Sequence, residues 1–428
     1  MPDTQRPVLP GFDPFSQEFL ADPAAVLRRA QDEEPVFYFP ELNYWVVTRF
    51  DDVERVISDF ETFSSVAIAV LPVPQDMHDR VPPDFYERSF IASDPPVHTI
   101  SRKAANTAFK RSRVDHMEEE IRGLCNELID GFAARGSADL MEEFAYPLAI
   151  RTLARLIGLP DGPQDVAEYQ RWAPDLVAVL TPKFPPLPDG SPAPATPMEP
   201  AELRERYERI ATARAFFQRL VDEREREPKQ DLLSSMLHAE GDEEGGRALP
   251  QALVITHMVE LITAGSATTA NLIGHALKFL GETPGALAAL AADPSLVDNA
   301  VEEALRRRAS TFGIFRKATR DVEIRGVMIP EGSLIWAAYA ATGHDPDRFT
   351  DSERFDIHRP NAGQHLNFGK GRHFCMGAPL ARLESATAVR TLLERLPDLD
   401  VPAGQEVEYA PSLIVPELLH LEGRWSAA

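Results

Sequence analysis

The stretch Asn367–Glu384, reading NFGKGRHFCMGAPLARLE, most constrains what this chain can fold into. Gly369, Gly371 and Gly377 surround Cys375. Glycine permits positive φ and close backbone approach, so a tight loop is predicted. Apolar residues then recur at helix spacing, at Leu380, Leu383, Ala386, Val389 and Leu393. Cys375 therefore falls where a loop becomes a helix N-terminus, whose unpaired N–H groups and positive potential stabilise a thiolate. An isolated cysteine is more often buried and inert than a ligand; here the whole string decides otherwise.

Phe368-Gly-x-Gly-x-His373-x-Cys375-x-Gly377, followed by Ala378-Pro-Leu-Ala-Arg382, resembles the haem-ligand loop of the cytochrome P450 family. The resemblance implies a mainly α fold with small β-sheets, the cytochrome P450 fold, over residues 1–428 as a single haem domain. It implies heme b (iron protoporphyrin IX) with Cys375 as the axial thiolate and metal ligand, and Phe368, Gly369, His373 and Gly377 as cofactor contacts. A thiolate ligand pushes electron density toward iron and favours O–O cleavage. The implied activity is haem-thiolate monooxygenation of a mostly apolar small organic substrate by dioxygen.

Composition sets bounds on this reading. The chain is 44% hydrophobic and 26% charged, which is ordinary for a soluble protein with a large core. A net charge of −23 argues against general nucleic-acid binding. Two cysteines, Cys125 and Cys375, form no disulfide framework or thiolate zinc site and imply a reducing compartment. Cys125 reads as core. With no leader pattern and no uninterrupted run of about 18 apolar residues, a cytoplasmic protein free of the membrane is expected. The sequence ends soon after the Cys375 helix, so no fused electron-transfer domain is expected.

Along the chain, residues 1–22 read as extended, and Val36–Tyr38 and Tyr44–Thr48 as two strands. Ser64–Pro96 reads as irregular; the resemblance makes it the cover of the substrate pocket, which the closely spaced Ile68, Val70, Leu71 and Val73 would face. His98 and Arg102 share a helix face at i, i+4; the resemblance gives them a haem propionate, with Arg316 and His373. Eight prolines from Pro182 to Pro200 predict a stiff loop with no helix or central strand, at the position the resemblance gives to a lid. Glu303 and Arg306 pair at i, i+3; the resemblance places them in a buried network with Arg359. Phe312 and Ile314 should line the pocket, and Leu413 should touch substrate.

Leu249–Leu280 is the longest periodic apolar segment, with Ala264-Gly-Ser-Ala-Thr-Thr269 at its centre. Glycine and clustered threonines predict a kink. The resemblance makes Thr268, with Thr269 beside it, the catalytic hydroxyl near dioxygen, and gives Ala264 and Gly265 the task of leaving room for haem. The family pattern has an acid before that threonine; this chain has Ala267. Cleavage of O–O needs protons, so three readings stay open: water with Thr268, a substrate hydroxyl, or peroxide as oxidant. Glu260 lies on the stripe of Ala264 and Thr268, with Thr263 beside it, and is expected to hold a cationic or donor group of the substrate.

Electrons are expected from a ferredoxin or flavodoxin with its NAD(P)H reductase. Arg102, Lys103, Lys110, Arg111, Lys370 and Arg372 would form a basic docking face for such a carrier. The alternatives are a peroxide-driven peroxygenase and a non-catalytic haem sensor or carrier. Retention of Thr268 argues against the sensor.

Overall fold

The computed structural model describes residues 6–106, 108–187, 198–241 and 246–427. The strands that matter here are β1 (Val36–Phe39), β2 (Tyr44–Val47), β3 (Phe63–Ser64), β4 (Ile68–Val70), β5 (Leu180–Pro182), β6 (Ile314–Ala318) and β7 (Leu334–Ala337). A five-stranded sheet runs in the order β1-β2-β7-β6-β3. β2 and β7 are parallel and the other pairs antiparallel. β7 reads Leu-Ile-Trp-Ala and is buried throughout, as a central strand covered on both faces must be. Its Ile335 sits opposite Arg316 of β6, fixing that arginine's register.

The helices around the site are α1 (Val97–Ala105), α2 (Tyr146–Ile157), α3 (Pro200–Arg226), α4 (Gln251–Glu282), α5 (Val297–Arg307) and α6 (Ala378–Arg395). α4 is apolar on all sides and packs against α2, α3, α5 and α6. Such a helix belongs in a core. It is long and apolar enough to cross a membrane by composition, yet most of it is buried inside the fold. α6 opens with Pro379 in its first turn, where a missing N–H costs nothing.

α4 is α-helical through Ala264–Thr269, where Thr263 and Thr268 donate to the carbonyls of Val259 (2.8 Å) and Ala264 (2.7 Å) as additional bonds. Two expectations need correction. Residues 1–22 are not all extended, since Gln17–Ala21 is a short helix with Phe19 and Leu20 buried. The stretch from Ser64 is not wholly irregular, because β4 pairs antiparallel with β5, Ile68 opposite Pro182. That same pairing puts a short strand at the start of the proline-rich segment. Residues 188–197 of the expected lid lie outside the described residues, and the sequence over 240–247, acidic and glycine-rich and read as an exposed turn, does so at 242–245.

Glu303, Arg306 and Arg359 come together as expected. Arg306 Nε donates to Glu303 Oε2 (2.7 Å), and Arg359 Nε to Glu303 Oε1 (2.9 Å), all three being buried.

Candidate functional site

A cavity of about 1150 Å³ separates α4 from the Cys375 loop. The loop is built by Gly369 and Gly371, each at φ +69°, a region that disfavours any side chain. The Cys375 amide donates to the Phe368 carbonyl at 2.8 Å, which closes the loop. The Cys375 side chain is open to the cavity, whereas Cys125 is buried in the core. Burial raises the thiol of Cys375 above its ordinary value, while the amides of Gly377 and Ala378 and the cations Arg102 and Arg382 act in the opposite direction. A haem iron bound at this sulfur would favour the thiolate further.

Most of the expected site residues line this one cavity. Glu260, Thr263, Ala264, Gly265, Thr268 and Thr269 face it from α4. His98 and Arg102 of α1, Ile314 and Arg316 of β6, and Leu413 close its sides. Phe368, Gly369, His373, Cys375 and Gly377 form its floor. Ala264 is the exposed residue of its helix turn, a gap beside the sulfur-bearing floor.

Phe312 is not there. It is buried against Phe19, with ring centroids 5.9 Å apart, and under the Arg308 guanidinium. Gly313 lies so close to Trp336 that a side chain would not fit there, and Phe312, ahead of β6, packs into the core while Ile314 lines the cavity. Ile68, Val70, Leu71 and Val73 do not line the cavity either; Tyr86, Phe90 and Ile91 of the same segment do. Glu260 is also reassigned. Its two oxygens accept the backbone N–H groups of Phe90 (2.8 Å) and Ile91 (3.0 Å), so it is engaged by the protein itself.

The donor set fits haem. His98 Nε2 is buried without a partner, and such a group calls for an acceptor. Its ring lies 3.9 Å from that of His373. Burial and the neighbouring cations push His98 down to about 4 and His373 down to about 2. Arg316 is buried, its guanidinium bonded to the Phe315 carbonyl. Two histidines and two arginines crowded at one edge are matched by two carboxylates, the number of propionates on heme b. His373 also reaches Ser65 Oγ at 2.9 Å, a contact with no signal in the sequence.

Another cavity residue missed by the sequence reading, besides Tyr86, Phe90 and Ile91, is Glu384 of α6. It interrupts the apolar stripe Leu380–Ala388, and that interruption was the available signal. Oε1 is buried and unpartnered, and burial raises its carboxyl to about 8. A carboxyl raised in this way is protonated in the folded protein below that pH and ionised in the unfolded chain above about 4.5. Its stabilising contribution is therefore present at low pH and lost as pH rises toward 8. Infrared spectra at pH 7 should show a protonated carboxyl band that fades above pH 8 and is missing in Glu384→Gln.

The family model for cytochrome P450 matches residues 56–412. The chain is 34% identical to cytochrome P450 monooxygenase PikC of Streptomyces venezuelae, covering 99% of this chain and 95% of that one. It is 32% identical to the vitamin D(3) 25-hydroxylase of Pseudonocardia autotrophica, covering 94% of each. The solved structure of cytochrome P450 CYP109Q5 from Chondromyces apiculatus superposes with a TM-score of 0.82 at 32% identity, over 97% of this chain and 98% of that one. Match and geometry agree: this chain belongs to the cytochrome P450 family, whose members are oxidoreductases carrying a cysteine-ligated heme b, and it is a monooxygenase of that fold.

Proposed function

We infer that this protein inserts one oxygen atom of dioxygen into a mostly apolar organic molecule, with electrons from a separate ferredoxin or flavodoxin and its NAD(P)H reductase. The observation that carries this is the cavity with the Cys375 sulfur on one side and Thr268 on the other. Bound haem supplies the redox chemistry, its iron held by the Cys375 thiolate. His98, Arg102, Arg316 and His373 hold the propionates by charge-assisted bonds. Phe368, Gly369 and Gly377 frame the sulfur, and Ala264 and Gly265 leave space above it.

Thr268 donates its hydroxyl proton to the Ala264 carbonyl. Its oxygen lone pairs are thereby turned outward to accept from a molecule in the cavity, with Thr269 beside it. Ile314, Leu413 and Thr263 line the substrate side. The vitamin D(3) hydroxylase among the relatives favours a bulky apolar substrate. Exposed Ile100 and Lys103 share α1 with Arg102, whose Nη2 touches the Phe374 carbonyl at 2.8 Å. With exposed Phe374 they support a carrier docking face on the cysteine side. Lys370 is taken by Glu54, which reduces that face's free charge, while Arg372 keeps its charge over the Phe60 ring. Free cysteines fit a cytoplasmic setting.

Ala267 favours one second reading, peroxide as the oxidant, since it leaves no acid beside Thr268. The test is direct comparison on a panel of macrolides, steroids and terpenes that shift the haem spectrum. Product formed with ferredoxin, reductase and NADPH, and at least tenfold less with hydrogen peroxide alone, is the expected result. The reverse order makes the enzyme a peroxygenase; product by neither route overturns both.

A further inference from the structure

Tyr86, Phe90 and Ile91 form one wall of the cavity. They belong to a run of turns and bends without helix or strand. What holds this run is α4, at both ends. The Thr256 hydroxyl donates to the Phe85 carbonyl at 3.0 Å. One helical turn on, Glu260 Oε2 accepts the Phe90 N–H at 2.8 Å and Oε1 the Ile91 N–H at 3.0 Å.

His257 completes the arrangement from the same turn of α4. Its ring stacks on Phe90, centroids 3.8 Å apart and planes inclined by 23°. Nδ1 lies 3.4 Å from Glu260 Oε2, and Nε2 lies 3.0 Å from Ser101 Oγ of α1. One tautomer satisfies both contacts, Nδ1–H facing the carboxylate and Nε2 accepting the serine proton, an assignment made from the network. His257, Ser101, Phe90 and Glu260 are all buried.

A carboxylate at this depth is costly unless hydrogen-bonded. Here two amides and an imidazole satisfy it, and bonds to an ionised acceptor are the stronger kind. Both oxygens are engaged by the wall, so the acid is placed to hold the wall and not a substrate cation. The same imidazole ties this wall to α1, the helix that carries His98 and Arg102.

We propose that Glu260, oriented by His257, is a positioning residue that fixes the Phe90–Ile91 wall against α4 and so sets the size of molecule admitted to the cavity. The size-setting part rests on the reading that haem and substrate share this cavity. Glu260→Gln keeps the shape but turns one acceptor into an amide nitrogen, leaving a wall amide without a partner.

The first arm of the test is hydrogen exchange on the wild-type holoprotein. The Phe90 and Ile91 amides should exchange on the order of 100-fold more slowly than those of exposed Glu87 and Arg88. In Glu260→Gln that protection should fall at least tenfold. The second arm titrates iron-binding azoles of graded size, imidazole and clotrimazole, into both holoproteins. Imidazole affinity should change less than twofold, while the ratio of clotrimazole to imidazole dissociation constants should fall at least fivefold as the wall loosens. Equal haem content and an unchanged carbonyl spectrum exclude general misfolding. Unprotected amides in the wild type, or an unchanged ratio in Glu260→Gln, would overturn the proposal. A wild type with no thiolate-type carbonyl spectrum overturns the function and with it the size-setting role, while the exchange arm still decides the latch.

Discussion

Cys375→Ala should give a folded protein without the thiolate-type carbonyl spectrum, and with turnover lowered by at least three orders of magnitude. That loss corresponds to roughly 4 kcal/mol of transition-state stabilisation. Folding should survive for a structural reason. The loop is held by backbone bonds, Cys375 N–H to the Phe368 carbonyl and Ala378 N–H to the Cys375 carbonyl, and by the Gly369 and Gly371 conformations. None of these needs the sulfur. The side chain faces the cavity, so its removal opens no new void in the core. Cys125→Ala is the control. That thiol is buried and burial raises it to about 12, so it is a neutral core group. Its loss should cost about 1 kcal/mol of stability and leave the spectrum untouched. Reduced carbonyl spectra of the two variants, taken beside far-ultraviolet circular dichroism, separate ligand loss from unfolding.

The contrast between these cysteines was legible in the sequence because the glycine spacing and the helix period around Cys375 are local properties. The same holds for α4 and α6, whose apolar periodicity fixes where each lies to within about two residues of its observed ends. The misreadings arose where a neighbour distant in sequence decides the outcome. Phe312 and Ile314 sit in one apolar run, but Phe19, distant in sequence, and Arg308 claim the Phe312 ring. Helical arithmetic correctly placed Glu260 toward the cavity. It could not say that the amides of Phe90 and Ile91, some 170 residues earlier, would claim the carboxylate. The apolar residues from Ile68 to Val73 looked like pocket lining, yet β4 uses its backbone to pair with β5 and the pocket is lined farther along.

Glu303→Ala should be the most destabilising single change outside the cavity, about 3–5 kcal/mol, since removing one partner leaves two buried guanidinium groups uncompensated. Against a typical total of about 5–15 kcal/mol, that is a large fraction. Glu303 Oε1 accepts from Arg306 (2.9 Å), Arg359 (2.9 Å) and the Asp356 amide (3.0 Å), and Oε2 from Arg306 (2.7 Å). Replacing a whole buried ionic triad with apolar residues is often neutral. Here it should not be. Arg306 also donates to the carbonyls of Gly343 (2.6 Å) and Arg354 (3.2 Å), and Arg359 to those of Thr350 (2.8 Å), Asp351 (3.0 Å) and Arg354 (3.0 Å). A triple replacement, Glu303→Leu with Arg306→Met and Arg359→Met, would leave these carbonyls without their donors, each costing about 1–3 kcal/mol if it stays dry. The segment they hold runs directly into the Cys375 loop, so both changes should also lower the haem bound per chain. Urea denaturation and haem content measured on Glu303→Ala and on the triple replacement check this. Recovery of wild-type stability in the triple replacement would show that charge pairing alone, and not the bracing of residues 343–354, is what Glu303 provides.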